Sequence, residues 1–356
     1  VRRIPQLDGL RALAVALVVL DHSVTWFPGG GIGVDVFFVL SGFLITSLLA
    51  GETEKFGHVS RGRFYLRRAL RLFPALLAML LVTPILVHVS AEDVALAATY
   101  TSNLAMAFWH QDAGVYGHTW SLALEEQFYL LWPLALPFVL KLRTRQAVGL
   151  LMALALASAV VAQARVHTVV HDGAVGVGVF NPLWQAHGLL IGCALALALR
   201  ARRDQAVVAP IYGWAALGAC LVVAAGASAT VDHHWAALWN LAAELAAAVL
   251  IAVLARSDGA SISRLFAYRP IVWVGERSYA IYLWHVPLIA FAEAHGPRPL
   301  STAVGVGGAV VASALSWRFV EAPFLRLKDR FHAKAPAETA PAPALGAVAA
   351  PAANTP

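Results

Sequence analysis

The residues best placed to do chemistry are an arginine and a histidine on one hydrophobic helix. In the run Arg11-Ala-Leu-Ala-Val-Ala-Leu-Val-Val-Leu-Asp21-His22, everything between Arg11 and Asp21 is apolar. Eleven residues at about 100° each return to within roughly 20° of the starting direction, so both side chains share a helix face. Their separation along the axis is roughly 16 Å at 1.5 Å per residue. Ionisable groups at membrane depth are costly and usually face a functional cavity. A cation near one surface and an imidazole deeper on the same face suit a long anionic ligand with a reactive end.

Other ionisable residues also interrupt apolar runs. By residue count, Asp35, Glu125, Glu126 and His285 fall within roughly one or two helical turns of the depth of His22, making one layer of carboxylates and imidazoles. A second layer holds Asp8, Arg11, Arg68, Arg71, Glu276, Arg277, Arg318 and Glu321. Arg68 and Arg71 have the i, i+3 spacing of side chains on one face and repel unless an anion bridges them, which points to a phosphate-bearing ligand. The competing reading is that Arg67, Arg68 and Arg71 snorkel to lipid headgroups. His22 and His285 each have a plainer alternative as hydrogen-bonded packing residues. Glu125 requires a partner or a neutral state wherever it sits in a span. Gly33, Gly42 and Gly275 read as points of close helix approach. Trp120 fits an interfacial belt, while Trp132 and Trp184 read as core.

The elements that must position these groups are membrane helices. Hydrophobic residues make up 60% of the 356 and charged residues only 13%, which excludes a soluble globular chain. The mean hydropathy of +0.70 agrees. Apolar runs predict an all-α polytopic protein of about ten transmembrane helices, near 8–27, 31–50, 67–88, 119–140, 146–164, 181–199, 208–229, 236–255, 271–291 and 301–322. The first run lacks a small-residue cleavage site, so it is expected to be a span and not a cleaved leader. Of the 26 basic residues, all but Arg165 and Arg298 fall in or beside the N-terminus and the loops after even-numbered spans. The positive-inside rule then puts both termini in the cytoplasm and explains the net charge of +6 without nucleic acid. Residues 90–118 carry Glu92, Asp93 and Asp112 but no Lys or Arg, and are expected to be an external, re-entrant segment. Cys193 and Cys220 lie in apolar runs and read as packing residues. The membrane domain is expected over 1–330, followed by a disordered Ala/Pro-rich cytoplasmic tail over 331–356.

Several stretches together resemble the membrane-bound acyltransferase-3 family, which O-acylates bacterial surface sugars and some antibiotics. They are Leu7-Asp-Gly-Leu-Arg-Ala12, Gly33-Val-Asp-Val-Phe-Phe-Val-Leu-Ser-Gly-Phe-Leu-Ile45, Phe64-Tyr-Leu-Arg-Arg-Ala-Leu-Arg-Leu-Phe-Pro74, Thr119-Trp-Ser-Leu-Ala-Leu-Glu-Glu-Gln-Phe-Tyr-Leu-Leu-Trp-Pro133, Gly275-Glu-Arg-Ser-Tyr-Ala-Ile-Tyr-Leu-Trp-His-Val-Pro287 and Glu321-Ala-Pro-Phe324. The resemblance implies a ten-span domain in the cell membrane that moves an acyl group, acetyl by default, from acyl-CoA to a hydroxyl of a glycan, glycolipid or glycosylated small molecule. It carries over Arg11 with His22, Arg68 with Arg71, and Glu125. In one departure, family members often have an arginine where Gln185 precedes Gly188-Leu-Leu-Ile-Gly192. Many members also carry a C-terminal extracellular hydrolase-like domain, of which these residues contain no counterpart.

On this reading Arg11, Arg68 and Arg71 hold acyl-CoA, and its pantetheine arm, roughly 15–20 Å when extended, matches the span from Arg11 to His22. His22 is the general base, with Asp35 or Glu125 orienting its second nitrogen. An acyl-imidazole on His22 is the mechanistic alternative. Ser41, Tyr129 and His285 are candidate acceptor contacts or supports. Acyl-CoA is a co-substrate, and no resident cofactor or metal is expected. The competing function is a proton-coupled transporter, for which a buried Asp/Glu/His layer would also serve.

Overall fold

The computed structural model describes residues 3–24, 27–109, 111–171, 180–202, 209–229, 236–257, 259–298 and 300–329. Among them every regular element is helical, and six stretches are long and apolar enough to cross a membrane: Gly29–Phe56, Arg61–Leu86, Thr144–Ala164, Pro210–Ala227, Leu238–Arg256 and Leu300–Leu327. The expected tail, 331–356, lies outside the described residues.

In chain order, α1 (Pro5–Ser23) starts with proline in its first turn, where a missing N–H is harmless. It ends at Val24, four residues before Pro28-Gly-Gly-Gly31, so it stops short of the predicted 27. The second helix, α2 (Ile32–Phe56), closes on Gly57 in the left-handed region, φ 75°. Next, α3 (Arg61–Leu86) begins a turn and a half before the predicted apolar run, so Arg67, Arg68 and Arg71 sit well inside a continuous helix. The segment 90–118 forms α4 (Ala91–Ala98), opened by a Ser90/Asp93 capping box, and α5 (Ser102–Phe108). At 8 and 7 residues, neither is long enough to cross a bilayer. Asn103 and Gln127 exchange two amide hydrogen bonds, 2.9 and 3.1 Å, which tie this segment to α6 (Trp120–Val139).

Beyond it lie α7 (Thr144–His171), α8 (His187–Ala201), α9 (Pro210–Ala229) and α10 (Ala236–Arg256), then the short α11 (Ser261–Phe266). The single span expected over 271–291 is instead two helices, α12 (Arg269–Glu276) and α13 (Ser278–His295), broken at Arg277. The break lets Gly275 lie against the backbone of Asp8 with no side chain between them. Last come α14 (Leu300–Ser316), a π-turn over Trp317–Glu321, and α15 (Ala322–Asp329). Such turns recur at functional sites, and this one presents Glu321 to a central cavity.

Glycines let the backbones meet, as expected for Gly33, Gly42 and Gly275. At the α2–α8 crossing, a Cβ on Gly42 would strike the Leu189 carbonyl and one on Gly192 the Val39 carbonyl. Phe38, Val39 and Leu40 of α2 and Leu189 of α8 are buried at this crossing, with Leu250 and Ile251 of α10 behind them.

Candidate active site

Six arginines meet at one cavity, among them Arg11 of α1 with Arg68 and Arg71 of α3. It has a volume of about 720 Å³ and is lined by Arg3, Arg11, Arg68, Arg71, Arg200 and Arg256, with Asp8, Glu276 and Glu321 as its carboxylates. Most of these cations are already neutralised. Arg11 pairs with Asp8 at 3.1 Å, one helical turn away. Arg3 bridges Asp8 and Glu276, and Arg200 pairs with Glu54. Arg68 donates through Nε (3.1 Å) and a terminal nitrogen (2.9 Å) to one oxygen of Glu126, and its guanidinium lies 3.2 Å from the centre of the Tyr129 ring.

Arg68 and Arg71, expected as twin anion ligands, differ in their partners. Glu126, one residue from the expected Glu125, takes the fork of Arg68. Arg71 has no carboxylate within ion-pair distance among the described residues. It is enclosed by helices yet exposed, because what it faces is the cavity.

The cavity narrows to a neck of about 90 Å³, where Arg11, Arg68 and Arg71 still line the wall and Glu125, Ser121 and Tyr282 join them. Ser41 Oγ donates to Glu125 Oε1 at 2.8 Å, and the Tyr129 hydroxyl donates to Oε2 at 3.3 Å. Ser41 and Tyr129 thus support Glu125. The neck ends at a hydrogen-bonded pair: Ser121 Oγ lies 2.7 Å from the Tyr282 hydroxyl, which donates to the His118 carbonyl at 2.6 Å.

Behind Tyr282 stand three imidazoles. His285 is fully buried, its ring 5.4 Å from Tyr282, 5.2 Å from His118 and 5.0 Å from His22. His22 is exposed and is not part of the cavity wall. Its Nδ1 lies 2.9 Å from the Val18 carbonyl one turn back. A carbonyl only accepts, so Nδ1 carries the proton and the neutral ring keeps a lone pair on Nε2. The same logic applies to His285, whose Nδ1 donates to the Tyr282 carbonyl at 2.6 Å.

Two further expectations fail here. Neither Asp35 nor Glu125 hydrogen-bonds His22; its own helix backbone orients the ring. Asp35 is buried beside another acid–base pair, His187 and Glu244, whose Nδ1–Oε1 distance is 2.6 Å. The predicted outer layer thus divides, because each residue follows the face of its own helix: His22 with His285, Glu125 with the arginines, Asp35 with His187. Tyr282 and Ser121 line the neck, and His22 lines neither the cavity nor the neck.

Sequence reasoning placed Glu126 in the layer but missed its pairing with Arg68, and it missed Ser121, Tyr282 and His118. The available signals were the second acid of Glu125-Glu126, and the position of Tyr282 one turn before His285. His187 with Glu244 left no such trace, because the partners are 57 residues apart.

Comparison with known proteins agrees with this architecture. The family described as Acyltransferase domain matches residues 4–319. The chain is 32% identical over 352 residues to the Peptidoglycan O-acetyltransferase OatA of Listeria monocytogenes, covering 90% of this chain and 55% of that protein. It is 30% identical over 356 residues to the O-acetyltransferase OatA of Staphylococcus aureus, covering 90% and 57% respectively. The chain thus spans about half the length of these curated relatives. No solved structure matches it. The family does not favour the transporter reading. With cavity, neck and imidazoles built from the matched segments, the chain belongs to the acyltransferase-3 family of multi-pass membrane proteins.

Proposed function

We propose that this protein is a membrane O-acetyltransferase that moves an acetyl group from cytoplasmic acetyl-CoA to a hydroxyl of a cell-surface glycan. About ten helices cross the membrane, both termini are cytoplasmic, and the arginine-lined cavity opens on the cytoplasmic side. The observation that carries this reading is the basic cavity tapering to Glu125, with His22 exposed at the other end of the helix that bears Arg11. A nucleotide thioester has the matching shape: anionic at one end, with a narrow arm and a reactive carbonyl at the other. The name of the Listeria relative, a peptidoglycan O-acetyltransferase, supports a glycan acceptor.

The chain's own residues divide the work. Arg71, with no carboxylate within ion-pair distance among the described residues, attracts donor phosphate, and Arg68 braces α3 against α6 through Glu126. Ser41 and Tyr129 hold the Glu125 carboxyl facing the arm. The Val18 carbonyl fixes His22 with a free Nε2, ready to take the acceptor's hydroxyl proton as its oxygen attacks the thioester carbonyl; the C–S bond breaks and the thiolate leaves. The Tyr282–Ser121 hydrogen bond lies on the neck wall beside the imidazoles, and it parts for donor and acceptor to meet.

The test is to incubate purified protein with radiolabelled acetyl-CoA and peptidoglycan fragments. Thiol release that requires the glycan, with label recovered as ester, is the expected result. Thiol release indifferent to acceptor, or none, would sink the proposal.

A further inference from the structure

Of the six arginines on the cavity wall, four have a carboxylate partner: Arg3, Arg11, Arg68 and Arg200. Arg71 and Arg256 have none within ion-pair distance among the described residues. They occupy different depths. Arg71 lines both the wide cavity and the neck, whereas Arg256 lines only the wide part. They also stand on separate walls. Arg71 is on α3, and Arg256 closes the last turn of α10, which packs on α2, α7, α8 and α9 and shares no substantial interface with α3.

Arg256 is held rigidly. One terminal nitrogen donates to the Arg202 carbonyl at 2.8 Å and the other to the Leu199 carbonyl, both at the end of α8. These bonds fix the guanidinium plane without cancelling its charge, and a guanidinium has five N–H donors. A rigid, charged fork with donors to spare is the arrangement that recognises phosphate. A cavity with two guanidiniums that have no carboxylate within ion-pair distance among the described residues, at successive depths, fits one ligand with two anionic groups in line, followed by an uncharged arm through the neck.

We infer that Arg256 is the binding site for a terminal phosphate monoester of the donor, outermost in the cavity, while Arg71 receives the inner diphosphate. In acyl-CoA that outer group is the 3′-phosphate. The inference rests on the donor reading above. It makes Arg256 the residue that distinguishes coenzyme A thioesters from shorter pantetheine or dephosphorylated ones.

Equilibrium binding to the full chain in nanodiscs tests it without knowledge of the acceptor. Acetyl-CoA and 3′-dephospho-acetyl-CoA are titrated against the unaltered protein, Arg256→Gln and Arg256→Lys. The unaltered protein should prefer acetyl-CoA by roughly tenfold to a hundredfold, the range for a charged hydrogen bond. Arg256→Gln should bind both donors alike, and Arg256→Lys should keep part of the preference. Comparing two donors on one variant cancels any loss of folded protein. An unchanged preference in Arg256→Gln overturns the assignment. So does a preference that follows the anionic-lipid content of the nanodisc, since the phosphate recognised would then be a headgroup. Failure of either donor to bind the unaltered protein overturns the donor reading itself.

Discussion

At the scale of single residues, arginines of the same type and spacing do different work. Arg68 is bonded to Glu126 and stacked on Tyr129, with only 16% of its side chain accessible, and Glu126 is nearly as enclosed at 20%. Removing the arginine strands a carboxylate. Arg68→Ala should therefore destabilise the protein by about 1–3 kcal/mol, less than for a fully buried pair, and the further change Glu126→Gln should return part of it. Thermal unfolding of the single and double variants checks this. Arg71→Gln should leave the unfolding temperature nearly unchanged and raise the KM for acetyl-CoA about tenfold or more. His22→Ala should abolish acetyl transfer while leaving acetyl-CoA affinity intact, measured by turnover and by direct titration. Its ring faces neither the cavity nor the neck.

At the scale of helices, close approach is the controlling fact. The α2–α8 crossing needs Gly42 and Gly192, because each would drive a Cβ into the backbone of the other helix. Backbone cannot yield as a side-chain tip can. Gly42→Ala or Gly192→Ala is expected to lower stability by about 1–3 kcal/mol or prevent folding, read as a loss of monodisperse protein on size-exclusion chromatography. Gly218→Ala is the control, since a Cβ there meets nothing within 4 Å. The same crossing brings Glu244 against Gly188 and sets the His187–Glu244 pair between α8 and α10.

At the scale of the whole molecule, orientation decides which partner arrives from which side. The cavity mouth carries Arg3, Arg200 and Arg256, near the ends that the positive-inside rule assigns to the cytoplasm. His22 is exposed toward the opposite end of α1. Single cysteines at Asp112 and Arg143 check this, because both native cysteines are buried. In intact cells a membrane-impermeant maleimide should label Asp112→Cys, whereas Arg143→Cys should require permeabilised cells. Labelling of both from outside would overturn the topology.

Helical periodicity alone put Arg11 and His22 on one face of α1, and apolar run length alone marked the six helices long and apolar enough to cross a membrane, because both follow from distances along a single chain. The recurring segments from Leu7 to Phe324 likewise carried the family. Partners across helices are a different matter. Which acid meets Arg68, which group orients His22, and whether Asp35 joins the imidazoles depend on how each helix is rotated and how far it slides against its neighbours. Those rotations are fixed by glycine contacts between segments distant in sequence, such as Gly42 with Leu189 and Gly275 with Asp8. Residue depth is a one-dimensional property that the chain states outright; adjacency at that depth is set by packing, and only the folded structure supplies it.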